Sequence, residues 1–151
     1  MRIALFQPDI PGNTGTILRL AACFSVPVEI IEPCGFVWSD AKLRRAGMDY
    51  MELANVTRHM NWAAFCDAVS GRLVLATTKA EQTAFDFAFQ PDDILLFGQE
   101  SAGVPKEIHD AVPNAVKIPM ATGARSLNVA MSAGIILAEA SRQTGGLPTQ
   151  A

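Results

Sequence analysis

Apolar positions along the chain gather into short runs, each closed by glycine, proline or polar residues. Ile3 to Phe6, Val28 to Ile31, Leu73 to Ala76, Ile94 to Phe97 and Ala115 to Ile118, interrupted only by Glu29 and Lys117, look like strands buried on both faces. Thr14 to Ser25, about Asn61 to Val69, Pro105 to Ala111 and Ser126 to Arg142 carry helical spacing between and after them. Strand and helix alternate, which predicts an α/β fold: a parallel sheet with helices on both faces. No internal repeat interrupts this order, so residues 1–151 read as one domain, with a loose tail after Thr144 where Gly145, Gly146 and Pro148 fall.

The last helix departs from the simple pattern. Leu127, Val129, Met131, Ile135, Ile136 and Leu137 cover more of its circumference than one core-facing stripe needs. Such a helix is buried on two sides, either against its own sheet and a partner subunit or wholly inside the fold. The mean hydropathy of +0.22 is high for a soluble chain of 151 residues and favours the partner, hence a homo-oligomer.

Composition narrows the function classes. Twelve Lys and Arg against fifteen Asp and Glu leave a formal charge of -3, so no global positive field draws in DNA, RNA or an anionic membrane, and a nucleic-acid site must be local. Cys23, Cys34 and Cys66 are odd in number and widely spaced, which encodes neither a disulfide framework nor a zinc site. The opening segment is too short and too quickly polar for a signal peptide, and no apolar run approaches the ~18 residues of a membrane span. These readings place the protein in the cytoplasm.

In an open α/β sheet, ligands sit beyond the carboxyl ends of the strands. Four loops there stand out: Gln7 to Thr16, Thr77 to Lys79, Gly98 to Pro105 and Pro119 to Asn128. The first runs through Pro11-Gly12-Asn13-Thr14-Gly15 into a helix with Arg19 about one turn inside. Free amides beside a cation suit a phosphate, although an asparagine cap and an ordinary surface arginine explain the same residues. In the third, Gly98 permits close approach, Gly103 a positive φ, and Pro105 the first helical turn. Glu100 between these glycines is placed to accept backbone N–H bonds and organise its loop rather than to act as a base. Ser126 is a cap for the last helix, with Asn128 beside it. Between Trp38 and Tyr50, Lys42, Arg44 and Arg45 lie among aromatics, with Arg58 and His59 further on. Cations hold phosphates and aromatics stack unpaired bases, so this run is an RNA patch or else a solvated charged helix. Neither His59 nor His109 has the companions of a metal site or a catalytic triad.

Taken in order, these pieces resemble the three motifs of the SpoU branch of the SPOUT methyltransferases. The resemblance is carried by Asn13-x-Gly15-x-x-x-Arg19, by Gly98-x-Glu100-x-x-Gly103-Val104-Pro105, and by Ile118-Pro119-Met120 with Ser126-Leu127-Asn128. Ile31-Glu32-Pro33, Gly35-Phe36, Leu43 through Tyr50, Thr57-Arg58-His59 and Thr77-Thr78-Lys79 look like the minimal TrmL (YibK) group. Its members are tRNA (cytidine/uridine) 2'-O-methyltransferases of the wobble nucleotide, position 34.

That resemblance implies a homodimer dependent on S-adenosylmethionine, with S-adenosylhomocysteine as product, no metal, and a deep trefoil knot in the C-terminal half. It maps cofactor binding to Ala76, Thr77, Gly98, Ile118, Met120, Ser126 and Leu127. Asn13, Glu100 and Asn128 then organise loops, Lys42, Arg44, Arg45 and Arg58 meet RNA, and Arg19 is catalytic. A guanidinium stays protonated, so its expected role is to hold the substrate phosphate and aim the ribose 2'-hydroxyl. Methylation of another RNA ribose, or a homologue that binds without turnover, are the alternatives. The chain departs from the group at Ala102, where Arg is usual, at Gln99, where Pro is usual, and at Ala130, where Ser commonly follows Ser-x-Asn.

Overall fold

A computed structural model describes residues 1–45, 50 and 53–149. The chain runs β1 (Arg2–Phe6), α1 (Pro11–Phe24), β2 (Val28–Ile31), α2 (Asp40–Arg45), β3 (Val56–His59), α3 (Trp62–Ala68), β4 (Leu73–Ala76), β5 (Ile94–Phe97), α4 (Lys106–Ala111), β6 (Asn114–Val116) and α5 (Val129–Thr144). Among the described residues six strands form one sheet in the order β3-β2-β1-β5-β4-β6, and each pairs in parallel with its neighbours. Ile3 pairs with Val28 on one side and Leu95 on the other, so β1 lies at the centre with its side chains buried on both faces.

Alternation along the central strands divides the core in two. Ile3, Leu5, Leu95 and Phe97 point to the face covered by Ile17, Leu18 and Ala21 of α1 and by Ala133, Ile136 and Leu137 of α5. Ala4, Phe6, Ile94 and Leu96 point to the opposite face, covered by Phe65 of α3 and Ile108 of α4. The predicted α/β fold is thus borne out, helices on both faces included.

Several element bounds shift, each for a local reason. Helix α1 starts at Pro11 rather than Thr14, because proline is preset for the first helical position and its missing N–H is no loss there. Helix α5 starts at Val129, and its cap is Asn128 rather than Ser126: the Asn128 Oδ1 accepts from the amides of Ala130 at 2.8 Å and Met131 at 3.3 Å. Strand β3 is absent from the apolar pattern because Val56-Thr57-Arg58-His59 is an edge strand with Thr57 and Arg58 exposed. Inside β2, Glu29 is buried and is satisfied by Arg2 at 2.7 Å and by His59 at 2.6 Å. His59, which has no metal-site or triad companions in the sequence, is buried at 7 % exposure as that partner.

Among the described residues one side of α5 is fully buried and the rest is mostly half-buried. Ala130, Ala133, Ile136, Leu137 and Ala140 are buried, whereas Met131 is 61 % exposed and Leu127, just before the helix, 41 %.

Candidate active site

A cavity of about 520 Å³ opens at the carboxyl ends of β4, β5 and β6, a size suited to a cofactor-sized ligand. Ala76 and Thr77 reach it from the end of β4, and Gly98 from the end of β5. Ile118, Met120, Ser126 and Leu127 reach it from the segment between β6 and α5. All seven residues assigned to cofactor binding by the resemblance therefore share one cavity. Asn13, Glu100 and Asn128 line it as well. Lys79 of the Thr77-Thr78-Lys79 segment borders it too, as do Lys117 and His109, which no motif in the sequence marks.

The lining combines apolar surface from Leu75, Phe97, Val116 and Ile136 with polar groups such as Thr77, Glu100 and Ser126. Gly98 is needed for close backbone approach: a Cβ there would stand 2.4 Å from the Gly103 carbonyl carbon. Gln99 and Gly103 exchange both backbone hydrogen bonds, at 2.9 and 2.8 Å, and Gly103 takes a φ of 69°, which closes the loop into a tight ring. The first loop joins the last helix through Asn128 Nδ2, which donates to Asn13 Oδ1 at 2.8 Å.

Glu100 does accept a backbone N–H, but from another loop: the Asp9 N–H donates to its Oε2 at 3.1 Å. Burial, and then the bond with Asp9, push the Glu100 carboxyl above its ordinary range, while the side chain of Asn13 favours the charged form. The bond with Glu100 holds Asp9 below its ordinary range. Asp9 escapes a reading of the sequence because an acid after Gln7-Pro8 reads as turn chemistry.

Arg19 is exposed on α1 and does not line the cavity; its guanidinium lies over the ring of Tyr50, 5.0 Å from the centroid. The cation and aromatic run divides. Lys42 is exposed on α2, Arg58 is ion-paired to Glu32, and its guanidinium lies over Trp38 at 4.9 Å. Trp38 in turn stacks with Phe36 at 6.3 Å between centroids. The side chains of Arg44 and Arg45, and residues 46–49 of the motif through Tyr50, lie outside the described residues. Among the described residues no group of three or more His, Cys, Asp or Glu side chains is arranged to hold a metal ion.

Comparison with known proteins places this geometry. The model of the SpoU rRNA methylase family matches residues 1–138. The tRNA (cytidine(34)-2'-O)-methyltransferase of Beijerinckia indica is 52% identical over 148 residues, covering 96% of this chain and 92% of its own length. The enzyme of that name from Escherichia coli K12 is 43% identical over 148 residues, with 96% and 94% covered. A structure described as giving insight into 2-OH methylation of C/U34 on tRNA superposes with a TM-score of 0.88 at 38% identity, over 94% of this chain and 89% of that one. The SpoU methyltransferase AviRb of Streptomyces viridochromogenes, in complex with AdoMet, reaches 0.84 at 28% identity, over 95% of this chain and 60% of its own. With a family model spanning all three motif segments and relatives of this identity along nearly the whole length, the chain belongs to the SpoU rRNA methylase family.

Proposed function

We infer that the protein transfers a methyl group from S-adenosylmethionine to the ribose 2'-hydroxyl of the tRNA wobble nucleotide, cytidine or uridine 34. The observation that carries the reading is the single cavity on which all three motif segments converge, in a chain whose relatives bear that activity by name. Its size, apolar lining and close backbone approach at Gly98 fit an adenosyl cofactor. Ala76, Thr77, Gly98, Ile118, Met120, Ser126 and Leu127 would hold it. The cofactor supplies an electrophilic methyl on a sulfonium, which leaves as the neutral thioether of S-adenosylhomocysteine.

The protein's own part is orientation. Arg19 binds the substrate phosphate through its guanidinium fork and aims the 2'-oxygen, whose proton passes to phosphate or water. Lys42, Arg44, Arg45 and Arg58 form the RNA side, with Arg58 acting as part of a stacked Trp38 platform because Glu32 already pairs its charge.

A homodimer completes the reading. Arg19 stands off the cavity of its own chain, and Ile10, Leu127 and Met131 expose apolar surface near the cavity and the start of α5. A second copy packed there buries that surface and builds the RNA-facing site from two subunits. The trefoil knot is supported by Lys117, which is hydrogen-bonded on both sides to the long connection between β4 and β5: its N–H donates to Gln82 O at 3.0 Å and its O accepts from Ala84 N at 2.8 Å. The chain leading to α5 therefore passes against that connection, as threading requires. Residues 1–151 form one SPOUT domain acting in the cytoplasm; among the described residues no helix is long and apolar enough to cross a membrane.

The test is methylation of tRNA that lacks wobble 2'-O-methyl groups, using the purified protein and S-adenosylmethionine, with nucleosides and fragments read by mass spectrometry. A 2'-O-methyl group at position 34 is expected, and one placed elsewhere transfers the activity to another RNA ribose. Arg19→Lys keeps the charge and loses the fork, so turnover is expected to fall by about 100-fold with S-adenosylhomocysteine affinity held. Near wild-type turnover refutes the role of Arg19, and an active isolated monomer refutes the dimer.

A further inference from the structure

We propose that Asp9 is a positioning residue for methyl transfer, locking the loop between β5 and α4 onto the segment that launches α1, the helix carrying Arg19. The proposal rests on reading the cavity as the methyl-donor site.

Asp9 and Glu100 form a closed ring across 91 residues of sequence. The Asp9 N–H donates to Glu100 Oε2 at 3.1 Å, and the Glu100 N–H donates to Asp9 Oδ1 at 3.0 Å. The Ser101 hydroxyl donates to the remaining oxygen, Asp9 Oδ2. The short Asp9 side chain thus accepts both a backbone and a hydroxyl donor from the cavity loop, while the Asp9 backbone N–H donates in return.

Two further observations show that the chain is held in place at this point. Gln7 adopts a φ of 44°, a left-handed conformation costly for a residue with a side chain and retained only where the surroundings enforce it. Gly35, from the loop after β2, abuts Asp9 so closely that a Cβ there would lie 2.6 Å from Asp9 Cβ and 2.9 Å from its Cα; the Gly35 N–H also donates to Pro8 O at 2.9 Å. Asp9 is wedged between the loops that follow β2 and β5.

What this wedge controls follows from what it does not. The loop after β5 is closed by its own pair of bonds between Gln99 and Gly103, so it keeps its shape without Asp9. Without the Asp9 carboxylate two of the three bonds that fix its placement relative to α1 go, and only the backbone N–H of residue 9 still reaches Glu100. A donor in the cavity would still find its wall, while the geometry between donor and the Arg19 helix would slacken. Transfer between two bound groups is sensitive to displacements of about 1 Å, whereas affinity for one of them is not.

The experiment pairs steady-state kinetics on tRNA with calorimetric titration of S-adenosylhomocysteine, for wild type, Asp9→Ala, Asp9→Asn and Ser101→Ala. For Asp9→Ala the expected result is a kcat lower by roughly 30-fold, with S-adenosylhomocysteine affinity within about threefold of wild type. Ser101→Ala removes one of three bonds, and kcat is expected to fall by no more than about threefold. Asp9→Asn keeps an acceptor for the Glu100 N–H and is expected to fall between the two. It also removes the neighbouring carboxylate, so the Glu100 carboxyl, followed by carbon-13 NMR, should titrate at lower pH; Asp9 faces it from the first loop, while Lys79, Lys117 and His109 border the same cavity. A wild-type kcat in Asp9→Ala overturns the proposal. So does a loss of kcat matched by an equal loss of affinity, since that marks general loosening, and so does an unmoved Glu100 titration. Failure of the wild-type protein to bind S-adenosylhomocysteine instead overturns the donor-site reading itself.

Discussion

The cavity end of the sheet and the β2–β3 edge both carry polar residues, yet they are built in different ways. At the cavity, the bonds that matter span the chain: Asn128 to Asn13 across 115 residues and Asp9 to Glu100 across 91. At the edge they are shorter: Arg58 to Glu32 across 26 residues, and Phe36 against Trp38 two residues on. Holding a small donor within a fraction of an ångström requires loops tied to one another. Meeting an RNA loop requires exposed charge and ring faces at about the right place. The first region is a closed ring of mutual constraints, and the second is a stacked surface that leaves side chains free to adjust.

If this division holds, changes in one region leave the other function intact. Gly98→Ala is the strongest challenge, because the new Cβ would meet backbone atoms of Gly103 at 2.4 and 2.7 Å, and backbone cannot turn aside as a flexible side chain can. The loop must open, and S-adenosylhomocysteine affinity is expected to fall by tenfold or more, roughly 1.4 kcal/mol at least, by calorimetry. Binding of tRNA to the same variant, measured without donor, should stay within about twofold of wild type. Trp38→Ala works from the other side. It removes the ring beneath Arg58 and beside Phe36, so KM for tRNA is expected to rise by about fivefold, with donor affinity unchanged. A parallel loss of donor affinity would break the division.

The smallest effects are in acid stability, where the carboxyl of the cavity and one remote from it have opposite signs. Arg142, followed by Gln143, holds Glu139 at about 2, well below 4.5. A depressed carboxyl stabilises the fold above its unfolded value, and that contribution is lost as pH falls from 4.5 toward 2. Glu100 is raised, so the native state holds its proton more tightly than the unfolded chain, and stability is given up as pH rises from 4.5 through the folded value. Denaturant melts between pH 2 and 6 are expected to show a slightly shallower acid limb for Glu139→Gln, and for Glu100→Gln less loss on the rising side. The Glu139 effect is small because its pair with Arg142 is a surface one.

Much of the architecture is legible in local pattern. β1, β2, β4 and β5 coincide with apolar runs because strands buried on both faces admit few polar residues. Asn61 marks the start of α3 by accepting from the Ala64 amide at 2.8 Å. β3 leaves no such trace, since an edge strand carries its polar residues outward. Nor does the connection from Thr77 to Asp93 announce that Phe87 and Phe89 are core residues, since both lie outside any regular period. At the site, the glycines and the loop positions are readable, whereas Asp9 has no local signature.

Hydrophobic periodicity and turn chemistry were enough for the fold class, most of the elements and the loops that carry the site, because those properties depend on residues a few positions apart. Strand order, the bond from Asn128 to Asn13, the displacement of Arg19 from its own cavity and the ring joining Asp9 to Glu100 depend on packing between distant segments. A hydrogen bond closed across 91 residues imposes no period on the chain between its ends, so only the folded arrangement could disclose it.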